Sequence, residues 1–315
     1  MNFFKDFLAL LRTPYIESSR NRVRVLIWYF YFSCLSKKVN LTNLKIAVQR
    51  YERSKNAWGN MNLWLRYQVK YIDPNFWAQS PAVQSVSNGH TQGFWKSVLV
   101  NKEITPSNQE VLYEVATRYS QIFEGYDAVD FFCALGSQKI LFDYCRTHYL
   151  AGKDRSMKFD YLVEIGAGFG WNFSMVLQDP ELKYKAIDTP EMGAIQRFIQ
   201  SEIYCSNPNL ELIQNNPIEL RELEKAIIHE QFWLCGFWSF SEISYEQRRL
   251  YLNLIRLSKL SIFVSNSEFD GIDNLLYFKR LSLFLSKNMD TLAASSVFGH
   301  QIPKYMANHK IYILT

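Results

Sequence analysis

At 315 residues, with 48% hydrophobic and 16% aromatic content, the chain holds enough apolar material for a sizeable core and is excluded from the disordered class. Its net charge is only +5, which argues against a broad nucleic-acid cleft, and its five cysteines are scattered without a CxxC pair. That pattern fits a reduced, intracellular, cytoplasmic protein rather than a disulfide framework or a zinc site.

The charge is unevenly spread. Residues 1–60 hold eleven Lys or Arg against three acids, a local +8 that leaves about −3 for the rest. A solvated face is one reading of this segment. Peripheral contact with an anionic membrane surface or a glycan-assembly machinery is the other. The opening "MNFFKDFLALLRTPYIESS" has no small-residue cleavage site, and "VLIWYFYFSCL" at 25–35 is too short to cross a bilayer.

Apolar residues at three- and four-residue spacing in "LTNLKIAVQRYERSKNAW" and "NQEVLYEVATRYSQIFEGY" predict a mostly helical region over residues 1–150. Its role is that of a lid, a substrate domain or a homodimer surface. The loop "IDPNFWAQSPAVQSVSNGHTQG" within it carries His90. Past the polar stretch "AGKDRSMKFD", residues 151–315 change character. Short apolar runs predict strands at 161–165, 184–187, 210–213, 232–237, 261–265, 291–298 and 309–315. Helices are predicted between them at 171–178, 191–205, 217–229, 244–258 and 271–286. Such alternation implies crossover connections and a parallel sheet covered on both faces. The last two strands, joined by "GHQIPKYMAN", are expected to form an antiparallel pair at the sheet edge.

The fold class expected is therefore α/β, a Rossmann-like sheet of seven strands with a helical N-terminal domain. In such a sheet the turn after the first strand lies at the ligand site. Here that turn reads E-x-G-x-G-x-G, from Glu164 through Gly166, Ala167 and Gly168 to Gly170. A dinucleotide fingerprint would require glycine at 171, where the chain has Trp171. An acid two residues before the first glycine repels pyrophosphate and suits a ligand bearing an ammonium and a sulfonium. Asp188 follows Gly170 by eighteen residues, at the end of the second strand, where an acid accepts hydrogen bonds from ribose hydroxyls. The cofactor these features select is S-adenosyl-L-methionine.

Together "VEIGAGFG", "AIDTPEMGAIQRFI" and "FWSFSEIS" make residues 160–300 similar to the sugar O-methyltransferases of bacterial surface-polysaccharide gene sets, within the class I methyltransferases. The first segment is shared across that superfamily; the other two are narrower. Thr189 stands where the family has an apolar residue. The resemblance implies methyl transfer to a sugar hydroxyl. It places Glu164, Gly166, Ala167, Gly168 and Gly170 around the methionine moiety, Asp188 and Thr189 at the ribose, Asn215 and Asn216 at the adenine and Phe237 beside the cofactor. "QNNP" at 214–217 is equally a turn and helix cap.

A hydroxyl is a weak nucleophile until a base takes its proton. Glu242 is the only carboxylate in the loop after the fourth strand and the first candidate base; the alternative is that Ser241 or Ser244 caps the next helix and Glu242 merely favours its start. His90 is the second candidate, and His148 and His300 remain open. Phe237, Trp238 and Trp95 suit stacking on a sugar face or packing in the core. No metal-ligand spacing appears, so no metal is expected. Rival readings are methylation of a phenolic or polyketide metabolite and a non-catalytic partner that keeps the fold. Nucleic-acid methylation is disfavoured, because "FWSFSE" stands where an Asn/Asp-Pro-Pro-aromatic segment belongs.

Overall fold

The structure, a computed structural model, describes residues 65–66, 68–70, 72–79, 106–150, 160–269, 271–298 and 309–315. The basic segment 1–60, His90, Trp95 and His300 lie outside the described residues.

The chain divides into two compact units, Met1–His90 with Ser120–Tyr126, and Thr91–Tyr119 with Asp127–Thr315. In the first unit a 3-10 turn, Pro74–Gln79, is tied by Trp77 Nε1 donating to the Ile72 carbonyl (3.1 Å) and by Glu124 N donating to the Asn75 carbonyl (2.8 Å). Gly125, at φ 90°, packs directly on the Gln79 side chain.

Most of helix α1 (Pro106–Ile122) and all of α2 (Ala128–Leu150) belong to the second unit. Then come β1 (Tyr161–Ile165), α3 (Met175–Gln178), β2 (Lys183–Asp188), α4 (Pro190–Glu202), β3 (Leu210–Gln214), α5 (Pro217–Ile227) and β4 (Phe232–Phe237). They are followed by α6 (Tyr245–Arg249), α7 (Leu252–Leu257), β5 (Leu260–Ser265), a small hairpin of β6 (Glu268–Phe269) and β7 (Ile272–Asp273), and α8 (Asn274–Leu285). The chain closes with β8 (Met289–Ala293), α9 (Ala294–Phe298) and β9 (Lys310–Leu314).

Seven strands form one sheet in the order β3-β2-β1-β4-β5-β9-β8. The pairs from β3 through β5 are parallel, and β9 runs antiparallel to both neighbours. This is the seven-stranded Rossmann-like sheet expected from the alternation of elements. The central strands β4 and β5 are buried at every position, so their apolar runs are continuous rather than alternating. Edge strand β8 has no fully buried residue.

The antiparallel pair expected at the sheet edge is present, with β8 outermost and β9 between it and β5. Several predicted boundaries are corrected. The strand predicted at 291–298 ends at Ala293, the partner of Lys310, where β9 begins; residues 294–298 turn helical instead. The helix predicted at 171–178 starts only at Met175, because residues 171–174 are consumed in turns. The helix predicted at 244–258 breaks between α6 and α7. The helix predicted from 271 starts at Asn274, since the β6–β7 hairpin occupies the residues before it.

Candidate functional site

The carboxyl ends of β1, β2 and β4 meet around the glycine turn. Gly166, Gly168 and Gly170 have φ of 69°, 56° and 75°, a region that L side chains rarely adopt. At Gly166 a Cβ would fall on Ser239, whose hydroxyl donates to the Ile165 carbonyl; at Gly170 it would fall on the Phe173 ring. Those two glycines therefore have packing reasons of their own. Ala167 is buried, and its carbonyl accepts from Gly170 N at 2.9 Å.

Asp188 ends β2 and closes the turn from the other side. Its Oδ2 accepts from Gly168 N (2.9 Å) and Gln196 Nε2 (2.9 Å), and its Oδ1 accepts from Thr189 N (2.8 Å). Gln196 also donates to the Gly168 carbonyl at 2.9 Å, clamping α4 to the turn. Desolvation raises the Asp188 carboxyl to about 6, although these donors oppose the shift. Thr189 serves the helix: its hydroxyl accepts from Met192 N at 3.3 Å as the cap of α4.

Glu164 is buried behind the turn, not free within it. Its Oε1 accepts from Asn172 Nδ2 (2.8 Å), and its Oε2 accepts from the Tyr184 hydroxyl. Desolvation raises its carboxyl to about 7, with the nearby Asp188 charge adding to the rise. Trp171, which displaces the dinucleotide glycine, packs against Tyr119, Phe131 and Phe169 at centroid separations of 5.6, 6.1 and 5.1 Å.

Asn215 follows β3, and its N–H donates to the Asp188 carbonyl at 2.8 Å. Its side chain meets the Tyr251 hydroxyl, and its Oδ1 is buried with no hydrogen bond of its own. The capping role in "QNNP" belongs to Asn216, which accepts from Ile218 N and Glu219 N at 3.1 and 3.0 Å.

Beyond β4, Phe237 is buried opposite Val264, and a 3-10 turn over Ser239–Glu242 follows. Glu242 is half-buried in that turn, beside Asn266, and desolvation raises it to about 7. Ser244 caps α6 with a reciprocal bond to Gln247, so Glu242 stands outside the cap. Arg248 pins this loop from beneath. Fully buried, it donates to the Ser241, Ile243 and Asn274 oxygens at 2.6, 3.0 and 2.9 Å and lies 4.4 Å from the Tyr277 ring centroid. Asn274 in turn donates to the Asn266 carbonyl at 3.1 Å. His148 lies elsewhere, 3.9 Å from Asp290 of edge strand β8.

Gln196, Asn172, Tyr184 and Arg248 were not singled out in the sequence. Gln196 had a faint signal, a polar residue on the buried stripe of Met192, Ile195 and Ile199. Among the described residues no three His, Cys, Asp or Glu side chains gather to hold a metal, and no helix is long and apolar enough to cross a membrane.

No family model and no curated protein matches the chain. Among solved structures it is similar to an O-methyltransferase family protein from Burkholderia thailandensis, with 8% identity, TM-score 0.41, and 94% of this chain and 95% of that one covered. It is also similar to the CurJ carbon methyltransferase, with 10% identity, TM-score 0.42, and coverage of 92% and 90%. A third is PigF, solved with SAH, with 11% identity, TM-score 0.37, and coverage of 96% and 99%. Likenesses this distant carry no weight for the cofactor or the acceptor.

Proposed function

We propose that the chain is an S-adenosylmethionine-dependent O-methyltransferase and that its acceptor is a sugar hydroxyl in surface-polysaccharide or glycoconjugate assembly. The observation that carries this reading is the joint at the end of β2, where the Asp188 carboxylate accepts from Gly168 N at 2.9 Å beside three left-handed glycines. A carboxylate there meets ribose hydroxyls, and the left-handed turn keeps the backbone close to the ligand. The residues fit the cofactor at a second point. The orphaned Oδ1 of Asn215, attached through its backbone to Asp188, is an acceptor that the exocyclic amine of adenine would satisfy.

Asp188 would hold the ribose and Asn215 the adenine, while Glu164 braces the turn through Asn172 and Tyr184. When bound, S-adenosylmethionine supplies an electrophilic methyl group on its sulfonium. Glu242 takes the acceptor's proton. A carboxyl raised to about 7 is a stronger base than an ordinary glutamate and is still substantially ionised at neutral pH. The sugar acceptor rests on the resemblance of "AIDTPEMGAIQRFI" and "FWSFSEIS".

The test is incubation with methyl-labelled cofactor and, in parallel, nucleotide sugars, lipid-linked oligosaccharides and phenols. Label in a sugar is the expected result. Label in phenols alone overturns the acceptor, and label in none overturns methyl transfer to these classes.

A further inference from the structure

His309 stands at the start of β9, next to Lys310, which pairs with Ser265 at the carboxyl end of β5. Because β9 is antiparallel, its first residues reach the same edge of the sheet as the glycine turn and the Glu242 loop. There Trp238 Nε1 donates to His309 Nδ1 at 2.9 Å, with the rings edge-on at 60° and centroids 6.0 Å apart. The indole is held for this contact at a backbone cost. Trp238 has φ 65° and ψ −38°, a conformation that a residue with a side chain seldom adopts. Its N–H donates to the Val264 carbonyl (2.7 Å), and its own carbonyl accepts from Ser241 N and Oγ in the turn that carries Glu242.

An indole N–H only donates, so Nδ1 of His309 must be the unprotonated nitrogen. The neutral ring then carries its proton on Nε2, on the edge away from Trp238. Desolvation favours this neutral form by lowering the imidazole to about 4. Among the described residues no acceptor takes the Nε2 proton, and the ring is half-buried rather than sealed.

We infer that His309, locked by Trp238 in its Nε2–H tautomer, is a substrate-binding hydrogen-bond donor that recognises an oxygen of the acceptor next to the hydroxyl being methylated. This deepens the methyltransferase reading and rests on it. A ring so locked cannot take the proton from the hydroxyl, which leaves that step to Glu242. An oxygen-rich acceptor is matched by such a donor, whereas an aliphatic one would leave the N–H bare.

The test is side-chain NMR of the full chain, 15N-labelled at histidine and loaded with S-adenosylhomocysteine. His309 should show a protonated Nε2 and a bare Nδ1 at pH 7. Trp238→Phe should release the lock and give mixed tautomers; His309→Gln assigns the signal if that variant does not fold. Addition of methyl α-D-glucopyranoside or of phenol should move the Nε2–H resonance with at least one of the two. An Nδ1–H or mixed tautomer in the wild type, or an Nε2–H resonance indifferent to both probes, overturns the inference. Failure of S-adenosylhomocysteine to bind counts against the cofactor instead, and the tautomer is then read on the free chain.

Discussion

In the proposed site Asp188 serves the cofactor and Glu242 the acceptor, and their surroundings differ accordingly. Asp188 already accepts from three donors, so its carboxylate is oriented before any ribose arrives. Little reorganisation is left for binding, which is how a site gains affinity without new contacts. Glu242 is less tethered, with Asn266 beside it and desolvation dominating. Glu242→Gln should lower kcat by roughly 10²–10⁴-fold with cofactor affinity unchanged, since the general base acts only on the proton in flight. In the wild type kcat should rise as pH increases through about 7, because the base must be ionised, and the Gln variant should lose that limb. A pH–rate profile of both proteins checks this. That Asp188 ends a strand and that Glu242 is the lone acid of its loop was legible in the sequence. Their partners were not, for Gln196 and Asn266 acquire meaning only once α4 and the end of β5 are folded beside them.

Among the elements, the loop after β4 carries the most unusual support. Arg248 is buried against Tyr277 and holds three oxygens, one in each of three segments: Ser241 in the 3-10 turn, Ile243 after it and Asn274 at the start of α8. A planar fork makes such divergent bonds possible, and an ammonium does not reproduce them. Arg248→Lys should therefore destabilise the fold by about 1–3 kcal/mol, by analogy with leaving one buried acceptor unpaired. It should also lower kcat while leaving cofactor affinity unchanged. Denaturant unfolding together with steady-state kinetics separates the two effects. The same arginine explains why one predicted helix became two. Periodicity over 244–258 is helical throughout, but Arg248 commits the end of α6 to the loop, and Tyr251 then sits at φ −100° and ψ −1° before α7 begins. Strand and helix alternation was readable from apolar runs alone; the insertion of β9 between β5 and β8 was not, since it depends on which edge accepts the last strand.

For the whole molecule, the carboxylate behind the glycine turn sets a pH dependence of stability. The folded state raises Glu164 from 4.5 to about 7, so it binds its proton more tightly than the unfolded chain. Stability therefore falls as pH rises between those values and levels off above them. Glu164→Gln keeps an oxygen for Asn172 and an amide for the Tyr184 hydroxyl while removing the charge. The variant should be more stable than the wild type at pH 8, by up to about 3 kcal/mol from the size of that shift, and show no gain near pH 5. Thermal unfolding at the two pH values checks the sign. Asp188, raised to about 6, works in the same direction. Both carboxyls lie at the glycine turn, where a cationic ligand would favour their ionised forms and an anionic one would oppose them.

The central claim is that this turn accepts S-adenosylmethionine through Asp188, and isothermal titration calorimetry on the full chain tests it most directly. S-adenosylmethionine or its demethylated product should bind at one site per chain, and NAD should give no heat. Asp188→Ala should weaken binding by roughly 10- to 100-fold, in keeping with the loss of hydrogen bonds to a charged group. Absence of heat from both methyl-cofactor forms, or equal affinity in the wild type and Asp188→Ala, would contradict the account.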